Sequence, residues 1–146
     1  METSLDKLKD YSLRLRSGWK AKMSKAIKIV VRDITAEATL NESKTARIVY
    51  DALPITGEVN LWGDEIYFDV DFTAEEENGK LTVELGDIAL WLEGPALCIF
   101  LGKTPISRAN EIRPASVVNV IGKINNIATL YRKLKGGEKI TLRKTN

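Results

Sequence analysis

From residue 26 onward the chain is a succession of short apolar stretches, each ended by glycine, proline or an acidic turn, and this rhythm restricts the folds open to it. In "AIKIVVRD" (26–33) Ile27, Ile29 and Val31 alternate with Lys28 and Arg32, the period of a half-buried strand. "TAEATL" (35–40) follows as a hairpin partner, and "GEVNLWG" (57–63) reads as a further strand. "EIYFDVDF" (65–72) puts Ile66, Phe68, Val70 and Phe72 on one face and Tyr67, Asp69 and Asp71 on the other. "LTVEL" (81–85), "IALWL" (88–92), "SVVNVIGKI" (116–124) and "KITLRK" (139–144) complete the pattern together with "ALCIFL" (96–101). The last of these is almost wholly apolar, as a strand covered on both faces is. Many short strands with Gly/Pro turns imply a mainly β sandwich or barrel, and closure into a barrel of about eight strands leaves few exposed edges.

Two segments break the rhythm. In "NESKTARIVYDALP" (41–54) Ala46, Val49, Tyr50 and Leu53 share one helical face. Asn41 or Ser43 caps its start and Pro54 closes it. "NIATLYRKL" (126–134) reads as a second short helix. "TAEEENG" (73–79) is expected as a solvated loop, Glu75–Glu77 included, and 102–115, with Pro105 and Pro114, as a long loop.

Residues 1–25 form a basic arm, partly helical or mobile, ahead of a domain over 26–146. Leu5, Leu8, Leu13 and Leu15 make a ragged helical stripe, and one short helix is marginal unless it docks. Met23 stands where the compact domain would naturally start. The 146 residues suit one domain with a sizeable core. A single cysteine, Cys98, allows no internal disulfide, and no apolar run reaches the roughly 18–20 residues that span a bilayer. A cytoplasmic location without membrane association is the expectation. Histidine is absent, which removes imidazole acid–base chemistry, Ser-His-Asp and Cys-His catalysis and His-ligated metals. No cofactor or metal is implied.

The net charge of +2 conceals segregation. Residues 1–32 carry nine Lys/Arg against three Asp/Glu, 33–100 three against fifteen, and 101–146 ten against two. A basic surface for nucleic acid is one reading of this. No recognition motif supports it, and aromatic residues do not interleave with the basic ones, so nucleic acid is disfavoured as a partner.

Gly102-Lys103-Thr104 resembles the end of a phosphate-binding loop, G-x-x-x-x-G-K-[ST]. The first glycine would have to be residue 97, which is leucine. Pro105 pushes Thr104 toward an extended conformation where a helix N-terminus should begin. The pattern therefore excludes a nucleotide cradle here.

Three separated motifs, "NLWGDEIYF" (60–68), "ELGDIALWLEGPALCIFLGKTP" (84–105) and "PASVVNVIGKI" (114–124), occur in the order that resembles the small prokaryotic cyclophilin-like family, stand-alone domains without a secured activity. The resemblance spans roughly 26–144 and implies a cyclophilin-like closed barrel with two short helices. Cyclophilins isomerise X-Pro bonds with an arginine on an early strand, here within 57–72, where this chain has none. Set against the family, Ala96-Leu97-Cys98 replaces Gln-Phe-Phe, Val118 replaces a histidine, and Ile106 is nearest to the pocket tryptophan. Fold does not carry activity without its site. The resemblance therefore implies a peptide- or small-ligand-binding module, with a divergent peptidyl-prolyl isomerase as the alternative. A subunit of an amide-cleaving enzyme complex, acting with a partner chain, is a further alternative.

Candidate cleft residues are Trp62, Tyr67, Trp91, Lys103, Arg108, Arg113 and Asn119. The aromatics combine apolar area with a polar handle, and Arg108 and Arg113 lie in a loop able to reach over a cleft. Asn119 interrupts an apolar strand and must be hydrogen-bonded if it faces inward. Phe68 and Phe100 read as core, and Cys98 as a small buried hydrophobe. Asp69 and Asp71 read as an exposed acidic strand face. No residue has a catalytic assignment, and neither the ligand nor the oligomeric state can be read from the sequence.

Overall fold

Strand β1 (Lys25–Val31) and strand β2 (Ile34–Leu40) form an antiparallel hairpin in which Lys25 faces Leu40 and Val31 faces Ile34. This is a computed structural model, and it describes residues 25–145. The arm read over 1–25 lies outside the described residues apart from Lys25, which already belongs to β1. The alternation is realised: Ile27, Ile29 and Val31 with Ala36, Ala38 and Leu40 are buried on one face.

Helix α1 (Lys44–Ala52) follows, capped by the Ser43 hydroxyl, which accepts from the Ala46 N–H at 3.0 Å. Asn41 Oδ1 accepts from the Ser43 N–H. A second cap comes from far along the chain. The Glu77 carboxylate accepts from the N–H groups of Lys44 (3.0 Å) and Thr45 (2.9 Å) and from the Thr45 hydroxyl (2.7 Å). The first-turn N–H groups of a helix have no acceptor within it. Glu77 is therefore a clamp on α1, which corrects the reading of 75–77 as a merely solvated run.

The remaining strands are β3 (Ile55–Glu58), β4 (Asn60–Trp62), β5 (Glu65–Asp69), β6 (Asp87–Trp91), β7 (Ala96–Phe100), β8 (Val118–Ile124) and β9 (Lys139–Lys144). They form one sheet in the order β3-β9-β1-β2-β8-β6-β7-β5-β4. Its two edge strands are consecutive in the chain, separated only by Val59. The Val59 N–H donates to the Glu138 carbonyl and the Gly137 N–H to the Val59 carbonyl, both at 2.8 Å. One bent segment thus joins the edges and brings the sheet to a nearly closed barrel. Gly57 permits the approach, because a Cβ there would lie 2.7 Å from the Phe68 ring.

Three expectations are corrected. The strand read over 57–63 is divided at Val59 by the barrel closure. "LTVEL" is no strand; isolated bridges, Lys80 to Val118 and Val83 to Ile112, hold the segment in place of a ladder. The helix over 126–134 is a single 3-10 turn, Ile127–Thr129, and Arg132 takes a left-handed φ of 57°. The apolar spacing there still has a purpose, since Leu130 and Leu134 are buried at the barrel's end. No helix among the described residues is long and apolar enough to cross a membrane.

The barrel interior is hydrocarbon. Ile66, Phe68, Ile88, Leu90, Leu97, Ile99 and Ile121 meet the inner faces of β1, β2 and β9 in one cluster. At roughly 25 cal/mol per Å² of apolar surface removed from water, this interior is the main source of stability.

Candidate functional site

A strand that sends Ile66 and Phe68 inward must send Glu65 and Tyr67 outward. The same parity on β7 turns Cys98 and Phe100 outward, and on β6 Ala89 and Trp91. Register aligns them: Glu65 faces Phe100, Tyr67 faces Cys98, Cys98 faces Ala89, and Trp91 faces Val118. Trp62 faces Glu65 across the β4–β5 hairpin. Every residue of β7 is buried, so this outer face is covered as well. Ala89, Cys98, Phe100, Ile112 and Val118 form a second apolar cluster there, with Tyr67 and Trp91 packed on it.

The cover is the 102–117 loop, and its hub is Thr104. The Thr104 N–H donates to Ser107 Oγ at 3.0 Å, the Thr104 hydroxyl donates to the Arg113 carbonyl at 2.5 Å, and the Arg113 N–H donates to Ser107 Oγ at 3.0 Å. The loop is also fixed to the β4–β5 turn. The Asp64 N–H donates to the Lys103 carbonyl and the Leu101 N–H to the Asp64 carbonyl. Gly63, at φ 64°, has no room for a side chain, because a Cβ would lie 2.7 Å from that Lys103 oxygen. At the loop's far end Ser116 Oγ accepts from the Trp91 indole N–H at 2.6 Å. The Gly-Lys-Thr sequence is thus the start of a self-bonded loop.

Between sheet and loop lies a cleft of about 220 Å³ lined by Trp62, Glu65, Tyr67, Trp91, Cys98, Pro114, Ala115 and Val118. Its one acidic side chain is Glu65, only 5% exposed. Glu65 Oε1 has no hydrogen-bond partner among the described residues. Burial raises the carboxyl from its ordinary range to about 7, and the neighbouring Cys98 thiol opposes this only in part. A carboxyl so placed exists in both protonation states near neutrality. Burial first, and then the neighbouring Glu65, push the Cys98 thiol well up, so it is a poor nucleophile.

The structure brings Trp62, Tyr67 and Trp91 together in this cleft and places the other candidates elsewhere. Lys103 is exposed, and its ammonium donates to the Ala109 carbonyl. Arg108 is exposed on the loop. Arg113 pairs with Glu111 at 2.7 Å. Asn119 is buried and takes the Glu77 N–H on Oδ1, while its amide donates to Thr45 Oγ1 and the Glu75 carbonyl. It anchors the 73–79 loop against α1. Asp69 is exposed at the end of β5 and Asp71 beyond it. No three His, Cys, Asp or Glu among the described residues converge on a point that could hold a metal ion.

Glu65 was the residue that pattern reading missed. The visible signal was parity, since Glu65 shares its face with Tyr67 and stands two turn residues from Trp62. Cys98 and Val118, where the resemblance sets pocket residues, do line the cleft, whereas Ile106 does not and is exposed. The early strand, where the resemblance sets the cyclophilin arginine that this chain lacks, contributes an acid.

Comparison with known proteins agrees with this fold. Residues 25–143 match a family model described as Cyclophilin-like. The solution structure of the hypothetical protein AF2241 from Archaeoglobus fulgidus is 42% identical, with a TM-score of 0.69 over 84% of this chain and 96% of that one. The structure of McbB in complex with tryptophan is 13% identical, with a TM-score of 0.61 over 82% of this chain and 45% of that one, a likeness of fold. No curated protein matches the sequence.

Proposed function

The chain belongs to the cyclophilin-like family, and from that premise we propose that it is a ligand-binding module whose site is the outer-face cleft between β4–β5, β7 and the 102–117 loop. The observation that carries this reading is the wall of Trp62, Tyr67 and Trp91 around a mainly apolar hollow. Sites for drug-sized molecules measure about 300–1,000 Å³. A hollow of about 220 Å³ suits one small ring system or a single peptide side chain. That McbB, which shares the fold, was solved with tryptophan suits a flat ligand of this size.

Protein-observed NMR tests the reading. Small aromatic and proline-containing ligands are expected to shift the indole N–H signals of Trp62 and Trp91 together, and Trp62→Ala is expected to abolish the response. Ligands that bind without moving either signal would place the site elsewhere.

Glu65 supports a second reading. In its protonated state it can donate a hydrogen bond to a prolyl amide, and the uncatalysed isomerisation barrier is about 18–20 kcal/mol. Exchange NMR on an Ala-Pro peptide decides: catalysed interconversion that is lost in Glu65→Gln supports a divergent isomerase. Unchanged exchange at high protein concentration leaves the binding module.

A further inference from the structure

Resting on that reading of the cleft, we propose that its ligands are organic amines, with a protonated nitrogen received by Glu65 and the carbon body held by Trp62, Tyr67 and Trp91. Two observations converge on this class. First, Glu65 is only 5% exposed, yet among the described residues its Oε1 has no donor. A buried polar atom is normally hydrogen-bonded, and leaving one unmet costs about 1–3 kcal/mol. A ligand that brings a donor recovers that cost on binding.

Second, the surroundings favour a positive donor over a neutral one. The cleft is lined by three aromatic side chains, and the negative faces of aromatic rings attract ammonium groups by about 0.5–2 kcal/mol. Among the described residues no lysine or arginine lines it, so none of them is an internal counter-ion that a ligand must displace. Tyr67 of β5 and Cys98 of β7 are the other titratable groups facing Glu65; β4, β6, β8 and the loop contribute Trp62, Trp91, Val118, Pro114 and Ala115.

Binding moves a proton. An ammonium stabilises the carboxylate form. Since burial holds the free carboxyl at about 7, amine binding below neutrality expels the Glu65 proton to solvent. The chain has no histidine, so no imidazole obscures this step.

The test uses three probes of similar shape and different charge: benzylamine, benzyl alcohol and benzoate, titrated into the full-length protein by calorimetry and by NMR at the two indoles. Benzylamine is expected to bind at least tenfold more tightly than benzyl alcohol, and benzoate least. Between pH 5.5 and pH 8 the benzylamine affinity is expected to rise more than tenfold, with proton release at the acid end seen as a dependence on buffer ionisation heat. Glu65→Gln, which keeps shape and removes charge, is expected to equalise benzylamine and benzyl alcohol and abolish the pH dependence. If benzyl alcohol binds the cleft as tightly as benzylamine, or benzylamine binds Glu65→Gln unchanged, amine selectivity is overturned while the cleft stands. If none of the probes moves the indoles of Trp62 and Trp91, the cleft reading falls and the amine proposal with it.

Discussion

The two faces of β5, β7 and β6 are built from the same backbone and have opposite chemistry. Inside the barrel, Ile66, Phe68, Leu90, Leu97 and Ile99 meet only hydrocarbon and are fully buried or nearly so. Outside, Glu65, Tyr67, Cys98 and Trp91 lie beneath a loop, and a carboxyl oxygen among them is left unmet. The inner face is optimised for packing. The outer face retains a desolvation cost that packing alone does not remove. That contrast separates the part of the sheet that makes the fold from the part available for recognition.

The largest effect is expected on the inner face. Phe68→Ala removes a fully buried ring from the main cluster and should cost about 3–5 kcal/mol. Urea unfolding measures it, and a loss below about 1 kcal/mol would mean that the interior is not packed to native density. Tyr67→Ala, one residue away on the half-buried outer face, is the matched control and should cost distinctly less.

Next comes Glu65, whose effect appears as pH dependence. Its folded pKa of about 7 lies above the ordinary 4.5, so between those values the folded protein binds more protons than the unfolded chain, and stability falls as pH rises. At about 1.4 kcal/mol per unit, the loss between pH 5 and pH 8 comes to about 2.5 kcal/mol. Glu65→Gln should flatten that slope, as read from urea unfolding at the two pH values. An equal slope in both proteins would show that the carboxyl is solvated, and the contrast between the faces would weaken.

How far the sequence shows this contrast depends on the range of the interactions. Strand parity is local, so the division of Ile66 and Phe68 from Tyr67 was legible in eight residues. The three-motif resemblance gave the barrel. Aromatic character alone marks Trp62, Tyr67 and Trp91 in the sequence, and strand register makes them converge. What stayed hidden depends on partners distant in the chain: Glu77 reaching α1, the closure at Val59, and the loop that buries Glu65. An acid beside a turn looks solvated unless the cover above it is known. Arg108 and Arg113 stand out in the sequence for their place in that loop, yet Arg113, like Lys103, bonds within the loop and Arg108 is exposed, so none of the three lines the cleft.

That cover can be loosened without touching either face. Thr104→Val keeps the side chain's shape and removes the hydroxyl that donates to the Arg113 carbonyl. Loss of a buried partner predicts about 1–3 kcal/mol. Hydrogen exchange should localise the change to 102–117, with the inner strands as protected as before at matched stability. Faster exchange spread evenly over β7 would mean that loop and barrel open as one unit.

The smallest effect tests whether Trp91 belongs to the cover or to the sheet. Its ring lies on the outer face of β6, next in the chain to the fully buried Leu90, and its indole N–H donates to Ser116 Oγ at 2.6 Å. Trp91→Phe keeps most of the ring and loses that bond, a change of about 1 kcal/mol. Ser116→Ala removes the same bond from the loop side. If the bond is the main link between them, the double variant should be no less stable than the worse single one, with a coupling of about 0.5 kcal/mol or more. Additive losses would show that each side chain is held by its own surroundings. The loop would then be an independent cover over the cleft, fixed at Thr104 and free to move at Ser116.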